Sequence, residues 1–102
     1  MSKTVSYKAI FVYDSTGISV FFPALPGCCT CGRSDIEAKL MAQDAIKSWC
    51  EATIKDLKRP LPEDFTMIDI SNWIKAHEKN WKMYSKSYKR WTMKTIKVNL
   101  EV

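Results

Sequence analysis

The sequence predicts an α+β fold in which four strands form a mostly antiparallel sheet and one main helix packs on one face of that sheet. Three observations support this prediction: an apolar hairpin near the start, a long helix that opens with a capping signal, and an alternating strand at the end. A sheet covered by a helix is one of the few layered arrangements that bury both elements. The predicted element order is β-β-β-α, an irregular basic insertion, and β.

The first part of the chain carries the pattern of a β-hairpin. Residues 5–13 are apolar on both faces, which is typical of a strand in the middle of a sheet. The turn that follows has Asp14, whose carboxylate can accept from the next amides, and Gly17, which tolerates a positive φ. Residues 18–22 then return as a second strand, so this segment predicts two antiparallel strands.

A short third strand and the main helix come next. Pro23 and Pro26 interrupt the ladder because neither can donate a backbone hydrogen bond, and residues 28–31 then predict the third strand. Ser34 and Glu37 have the spacing of a capping box. In such a box the Ser34 hydroxyl accepts from the Glu37 amide, and the Glu37 carboxylate reaches back to the Ser34 amide.

The helix that this box opens has one stripe that we expect to face the sheet, and it ends near Leu57, before Pro60 and Pro62. The residues of the stripe are Ala38, Ala42, Ala45, Ile46, Trp49 and Thr53.

The remainder of the chain ends in a strand. Within residues 60–90 one apolar group could form a short helix, with Ser71 or Asp69 as a cap. Its members are Phe65, Met67, Ile68, Ile70, Trp73 and Ile74. Residues 75–90 are polar, basic and aromatic, and we predict no regular structure for them. Residues 96–102 alternate apolar and polar side chains, which indicates a strand with one buried face. The apolar set of that strand is Ile96, Val98, Leu100 and Val102.

The length and composition fit one domain, residues 1–102. The longest early apolar run, residues 9–13, is too short for a membrane span or for the core of a signal peptide. We therefore expect a cytoplasmic protein that does not enter the membrane. Such a location fits cysteines in the reduced state. The four cysteines are Cys28, Cys29, Cys31 and Cys50.

Positive charge is concentrated before the last strand. The net charge is +5, yet residues 75–97 hold eight lysines and arginines against Glu78 alone, a local net charge of +7. Aromatic residues lie in or beside this segment, namely Trp73, Trp81, Tyr84, Tyr88 and Trp91. Two interpretations stay open: stacking and phosphate contacts with a nucleic acid, or lysine stems that cover the sheet while the rings pack beneath them.

Enzymatic chemistry has no recognisable motif in this sequence. His77 lacks a neighbouring nucleophile, and the acids are spread over turn, cap and helix. Cys28 and Cys31 have the C-x-x-C spacing of half a zinc site, which Cys50 and His77 would complete, but those two are far apart in the chain. We predict no enzyme, no catalytic residue, no bound metal and no cofactor.

The motifs of the first two thirds resemble the HicB antitoxin family. Residues 22–32, FPALPGCCTCG, are similar to that family's FPDLPGC-x-T-x-G segment, and they follow a comparable hairpin. The helix from Glu37 to Ile46 is similar to the family's EA-x-x-x-A-x-x-A pattern, and Leu61-Pro62 matches its helix-exit segment. The chain departs from the pattern at Ala24, where the family has aspartate, and at Arg33, where it usually has an acid.

The resemblance implies a ribonuclease H-like fold without catalytic carboxylates, which binds and neutralises a small, mRNA-cleaving HicA toxin. Because the chain ends at the predicted fourth strand, we expect no C-terminal DNA-binding domain. We predict a non-catalytic protein-binding domain that forms a homodimer and that inhibits either a HicA-like toxin or, if repurposed by a phage, another host protein. A nucleic-acid-binding domain that uses residues 75–97 is the alternative. The predicted partner-binding residues are Lys82, Lys86, Lys89, Arg90 and Trp91.

Overall fold

The computed structural model describes residues 2–101, and it confirms the α+β fold class. The elements are β1 (Ser2–Asp14), β2 (Gly17–Phe21), β3 (Cys29–Gly32), α1 (Asp35–Lys55), α2 (Met67–Tyr84) and β4 (Arg90–Glu101). The four strands form one antiparallel sheet in the order β3-β2-β1-β4. The predicted hairpin, the central position of the first strand and the main helix are all present. Val102, which the sequence pattern places in the last strand, lies outside the described residues.

The sheet is buried on both faces in its central part. On one face, Phe11 and its neighbours of the same parity pack under α1 in the larger core. On the other face, Ile10 and Val12 pack with Ile70 and Ile74 of α2. The apolar character of both faces of β1 therefore has a direct cause, because each face has its own helix.

The start of α1 follows the predicted capping signal with one difference. The Ser34 hydroxyl accepts from the Glu37 amide at 3.2 Å. The Glu37 carboxylate, however, accepts from the Arg33 amide at 3.1 Å. The buried residues of α1 are Ala38, Ala42, Ile46, Cys50 and Thr53, while Ala45 and Trp49 are half-buried. The predicted stripe is thus mostly correct, and Cys50 is the buried residue that it lacked.

The prediction of an irregular basic insertion is wrong, because most of that segment is the helix α2. The cap is Thr66, whose hydroxyl accepts from the Asp69 amide while the Asp69 carboxylate accepts from the Thr66 amide. The residues that face the sheet recur at helical spacing, at Ile70, Trp73 and Ile74. Lysines that follow them hide this periodicity in the sequence. The sheet therefore carries a second helix on the face that the sequence analysis left open.

The last strand begins at Arg90, six residues before the alternation that predicts it. It pairs with β1 along its length, from Tyr13↔Arg90 to Ser2↔Glu101. The first residues of β4 do not alternate apolar and polar side chains, because Arg90 and Lys94 occupy the positions that face α1 and lie over rings of β1. The Arg90 guanidinium lies 4.2 Å from the centre of the Tyr13 ring, and the Lys94 ammonium lies 4.7 Å from the centre of the Phe11 ring.

The linker between the helices closes the edge of β1 that β2 leaves free. The Asp64 carboxylate accepts from the Lys8 backbone amide at 3.2 Å and pairs with the Lys8 ammonium at 3.0 Å. The Tyr7 hydroxyl donates to the Pro62 carbonyl at 2.6 Å. The linker thereby crosses from the α1 face to the α2 face while bonding backbone groups that β2 does not reach.

Candidate functional site

The predicted partner-binding residues lie where α2 ends and β4 begins. Lys82 is in the last turn of α2, Lys86 and Lys89 are in the connection, and Arg90 and Trp91 open β4. The four cations are exposed, whereas Trp91 is half-buried. The structure thus gathers the set at one end of the molecule, and their contact with a partner stays a prediction.

Glu78 organises this end of the molecule. Its carboxylate accepts from the Trp91 indole N–H at 3.0 Å and from the Tyr88 hydroxyl at 3.3 Å, and it lies 3.8 Å from the Lys82 ammonium. Burial raises the pKa of Tyr88, and the nearby Glu78 charge raises it further. The single acid of the basic segment is therefore used internally, and within residues 2–101 Lys86, Lys89 and Arg90 have no ion pair.

The rings of Phe21, Trp73, Trp81 and Tyr88 form a cluster on the face of the sheet that α2 covers. Ring centres of Phe21 and Trp73 lie 6.0 Å apart, those of Phe21 and Trp81 lie 6.2 Å apart, and those of Trp81 and Tyr88 lie 6.4 Å apart. His77 stacks on Trp73 at 4.1 Å. This packing supports the interpretation in which rings fill the core beneath lysine stems, because rings packed against each other are not free to stack on bases.

A polar pocket of about 380 Å³ lies on the other side of the same end, between the β1–β2 turn and the start of α1. Hydrogen bonds from Thr16 lower the pKa of Asp14. A hydrogen bond from the Tyr13 hydroxyl and the charge of Lys94 lower the pKa of Asp35. Both carboxylates are thus held as anions by groups of the chain itself. The pocket still has an excess of positive charge, because three basic residues, Arg33, Lys89 and Arg90, face these two acids. Its charged lining residues are Asp14, Arg33, Asp35, Lys89 and Arg90.

An apolar groove of about 470 Å³, which the sequence did not predict, separates α2 from β4. Its lining residues are Met67, Ile70, Ser71, Ile74, Lys75, Trp91 and Met93. The lining residues that belong to α2 recur at the i, i+3, i+4, i+7 spacing of one side of a helix. The same spacing predicts α2 itself, so recognising the helix in the sequence would also have indicated the groove. Trp91 belongs to both the groove and the predicted partner-binding set.

Cys28 and Cys50 lie in the larger core beside α1, whereas His77 stacks on Trp73 on the face of the sheet that α2 covers. Burial raises the pKa of Cys28 and of Cys50 to about 11, whereas Cys29 and Cys31 are exposed. Among residues 2–101, no three or more histidine, cysteine or acidic side chains form a group that could hold a metal. The zinc alternative therefore has no support from the geometry.

No helix in the described part of the chain has both the length and the apolar character needed to cross a membrane.

Comparisons with known proteins place this fold in a family. The family model described as HicB_like antitoxin of bacterial toxin-antitoxin system matches residues 8–102. Antitoxin HicB 2 of Photorhabdus laumondii is 38% identical over 66 residues, which are 65% of this chain and 47% of that protein. The chain thus spans about half the length of this curated relative.

Two solved structures have a similar fold. A chain of a toxin-antitoxin complex from Streptococcus pneumoniae superposes with a TM-score of 0.71 at 21% identity, covering 97% of this chain and 70% of that chain. A chain of a HicA3 and HicB3 toxin-antitoxin complex superposes with a TM-score of 0.56 at 18% identity, covering 95% of this chain and 96% of that chain. Because the family model extends over nearly the whole sequence, the chain belongs to the HicB-like antitoxin family of bacterial toxin-antitoxin systems.

Proposed function

We propose that this chain neutralises an mRNA-cleaving HicA-like toxin by binding it as a protein ligand. The observation that carries the proposal is the match of the HicB-like antitoxin family over residues 8–102. The two structures with a similar fold come from toxin-antitoxin complexes, which supports a protein partner of the same kind. We propose further that the chain has no catalytic activity of its own, binds no cofactor and acts in the cytoplasm as a single domain.

The partner surface that we propose is the basic end of the molecule. Lys86, Lys89 and Arg90 are exposed there, and within residues 2–101 no ion pair neutralises any of them. Trp91 is anchored on Glu78, so it is fixed in place before a partner arrives. A rigid aromatic side chain beside unpaired cations is a common composition for the energetic centre of a protein interface.

We also propose that the chain forms a homodimer. In the described part of the chain, the outer edge of β3 has no neighbouring strand, and the residues from Cys29 to Gly32 carry no charged side chain. An uncharged edge strand is a ready site for pairing with a second copy, because no like charges are brought together there.

A co-expression experiment tests the proposed function. The chain is expressed with the HicA-like toxin of the adjacent reading frame, and growth and co-purification of the two proteins are measured. We expect rescued growth and a stable complex. We propose that the three cations meet acidic groups of the toxin, so the triple variant Lys86→Glu, Lys89→Glu, Arg90→Glu is expected to weaken the complex at least about tenfold by replacing attraction with repulsion.

A matched triple variant separates the proposed surface from general charge effects. Lys39→Glu, Lys47→Glu and Arg59→Glu make the same charge change at exposed positions on or after α1. We expect this variant to rescue growth like the unmodified chain. Toxicity that persists with the unmodified chain, while another host protein co-purifies stoichiometrically, would contradict toxin neutralisation and favour the phage-type inhibitor.

A further inference from the structure

The open edge of β4 beside the apolar groove has the features of a peptide-binding site. β4 is the last strand of the sheet, so among residues 2–101 no further strand pairs with its outer side. The groove lies on the α2 face of that same edge, and Trp91 and Met93 belong to both. A sheet edge next to a pocket is the arrangement in which proteins bind an extended peptide as an added strand.

The register shows which backbone groups of β4 point outward. The Lys8 amide donates to Asp64 of the linker, so Lys8 directs its backbone groups away from β4. Thr95 lies opposite Lys8. In an antiparallel pair, opposite residues either bond each other or both point away, so Thr95 directs its N–H and C=O outward, as do Met93 and Trp91 at alternate positions.

Side chains of α1 close the far part of this edge and leave the near part open. Gln43 donates to the Lys97 carbonyl at 3.5 Å, and the Glu101 amide donates to Glu51 at 3.4 Å. Both bonds involve backbone groups of β4 that point away from β1. Within residues 2–101, no loop or side chain makes a hydrogen bond to the backbone of residues 91–95. The open stretch is therefore the one beside the groove.

The side chains around the open stretch indicate which kind of strand could bind there. The groove side is lined mainly by apolar side chains and by Lys75. On the opposite side of the edge, Arg90 and Lys94 lie over the rings of β1. Residues 89–98 contain four cations and no acid, and within residues 2–101 only Lys94 of these four has an ion pair, with Asp35 at 3.4 Å. Pairing with a second copy of this strand would bring those cations together, whereas an acidic strand would neutralise them.

We propose that the open stretch of β4, residues 91–95, binds an extended segment of a partner protein in which apolar and acidic residues alternate. The apolar side chains enter the groove between α2 and β4, and the acidic side chains face Arg90 and Lys94 on the other side of the edge. The proposal goes beyond toxin neutralisation, because it concerns a surface and a peptide chemistry that hold for any partner with such a segment.

A synthetic peptide tests this surface in isolation. The probe is a short, blocked peptide that alternates Val and Glu, and its control has the same residues in a block of Val followed by a block of Glu. Binding is measured by calorimetry, and site-specific hydrogen exchange follows the amides of Trp91, Met93 and Thr95. We expect saturable binding of the alternating peptide and slower exchange at those three amides. Equal binding of both peptides, or no change in exchange there, would overturn the proposal.

Two pairs of variants locate the contact. Thr95→Pro removes one outward amide, which an edge strand tolerates, and Asn99→Pro makes the same change beyond the groove. We expect Thr95→Pro to weaken peptide binding about tenfold and Asn99→Pro to leave it within about twofold. Lys75→Glu is likewise expected to weaken binding, and the exposed Lys47→Glu on α1 is its control. Equal effects within either pair would contradict a site at residues 91–95.

A nucleic acid serves as the competing probe. Single-stranded RNA of the same net charge as the peptide carries no backbone that can join a sheet, so we expect it to leave the exchange of the three amides unchanged. Protection of these amides by RNA, with none by the peptide, would overturn the proposal in favour of a nucleic-acid surface.

Discussion

Gly32 has a steric role that its sequence position does not reveal. A side-chain carbon added there would lie 2.5 Å from the Ala38 nitrogen and 2.7 Å from the Ala38 Cα. Both are backbone atoms of α1, so no rotamer change relieves the contact. This glycine is the last residue of the FPALPGCCTCG segment, and its smallness lets the helix approach β3 closely.

The substitution Gly32→Ala is therefore expected to lower the free energy of unfolding by about 3 kcal/mol, the upper end of the usual cost of overpacking. Gly27→Ala is the control. Gly27 has a φ of 79° but open space around it, so about 1 kcal/mol is expected from backbone strain alone. Urea denaturation followed by tryptophan fluorescence measures both values, and equal losses would contradict the close approach of α1.

The thiols separate into two classes that chemistry can distinguish. Burial raises the pKa of Cys28 and Cys50 from 9.0 to about 11, which keeps them protonated and unreactive near neutral pH. Iodoacetamide is therefore expected to label Cys29 and Cys31 first, and peptide mass spectrometry gives the order. Labelling of Cys50 as fast as Cys31 would contradict the packing of α1.

The same thiols make stability depend on alkaline pH. Their folded-state pKa lies above the unfolded value, so their contribution is fully present below about pH 9 and is lost as the pH rises toward 11. We expect the free energy of unfolding to fall over this range. The double variant Cys29→Ser, Cys31→Ser should show the same fall, because its substitutions leave the buried thiols in place.

At the scale of elements, α2 depends on its cap and on its aromatic face. The reciprocal bonds between Thr66 and Asp69 satisfy amides at the start of the helix that would otherwise lack a partner. Thr66→Ala is expected to lower the free energy of unfolding by about 1 kcal/mol, whereas Thr66→Ser keeps the hydroxyl and most of the stability. Hydrogen exchange of α2 measures the local effect, and identical exchange in the two variants would contradict the role of the cap.

The elements also show how far sequence reasoning reaches. The hairpin and α1 could be predicted because their turn and cap residues, such as Gly17 and Ser34, act locally. The helix α2 and the first half of β4 could not be predicted, because lysines and arginines interrupt their apolar residues. How those basic side chains pack depends on the rest of the fold. Arg90 illustrates this: its sequence suggests a free cation, yet its guanidinium covers the Tyr13 ring.

The site was predicted in part for the same reason. The cations of the basic end are visible in the sequence, because charge needs no partner to be recognised. The Glu78 contacts with Trp91 and Tyr88, and the groove beside Met93, depend on α2 lying against β4. The sequence could not predict these contacts or the groove, because it did not predict that α2 packs against β4.

A homodimer would have twice the mass of one chain and a larger radius of gyration. One chain has a mass of 11.8 kDa and a radius of gyration of 14.0 Å. We expect light scattering to give twice the chain mass and small-angle scattering to give a clearly larger radius. A monomer mass together with a radius near 14.0 Å, at high micromolar concentration, would contradict pairing through the β3 edge.

An RNA cleavage assay tests directly whether this chain neutralises a toxin by binding it. The purified HicA-like toxin of the adjacent reading frame cleaves a labelled RNA while this chain is titrated into the reaction. We expect cleavage to stop at a fixed ratio of chain to toxin, and this ratio to stay the same when the RNA concentration is raised. Cleavage that continues in excess chain, or an inhibiting amount of chain that rises in proportion to the RNA, would contradict neutralisation by direct protein binding.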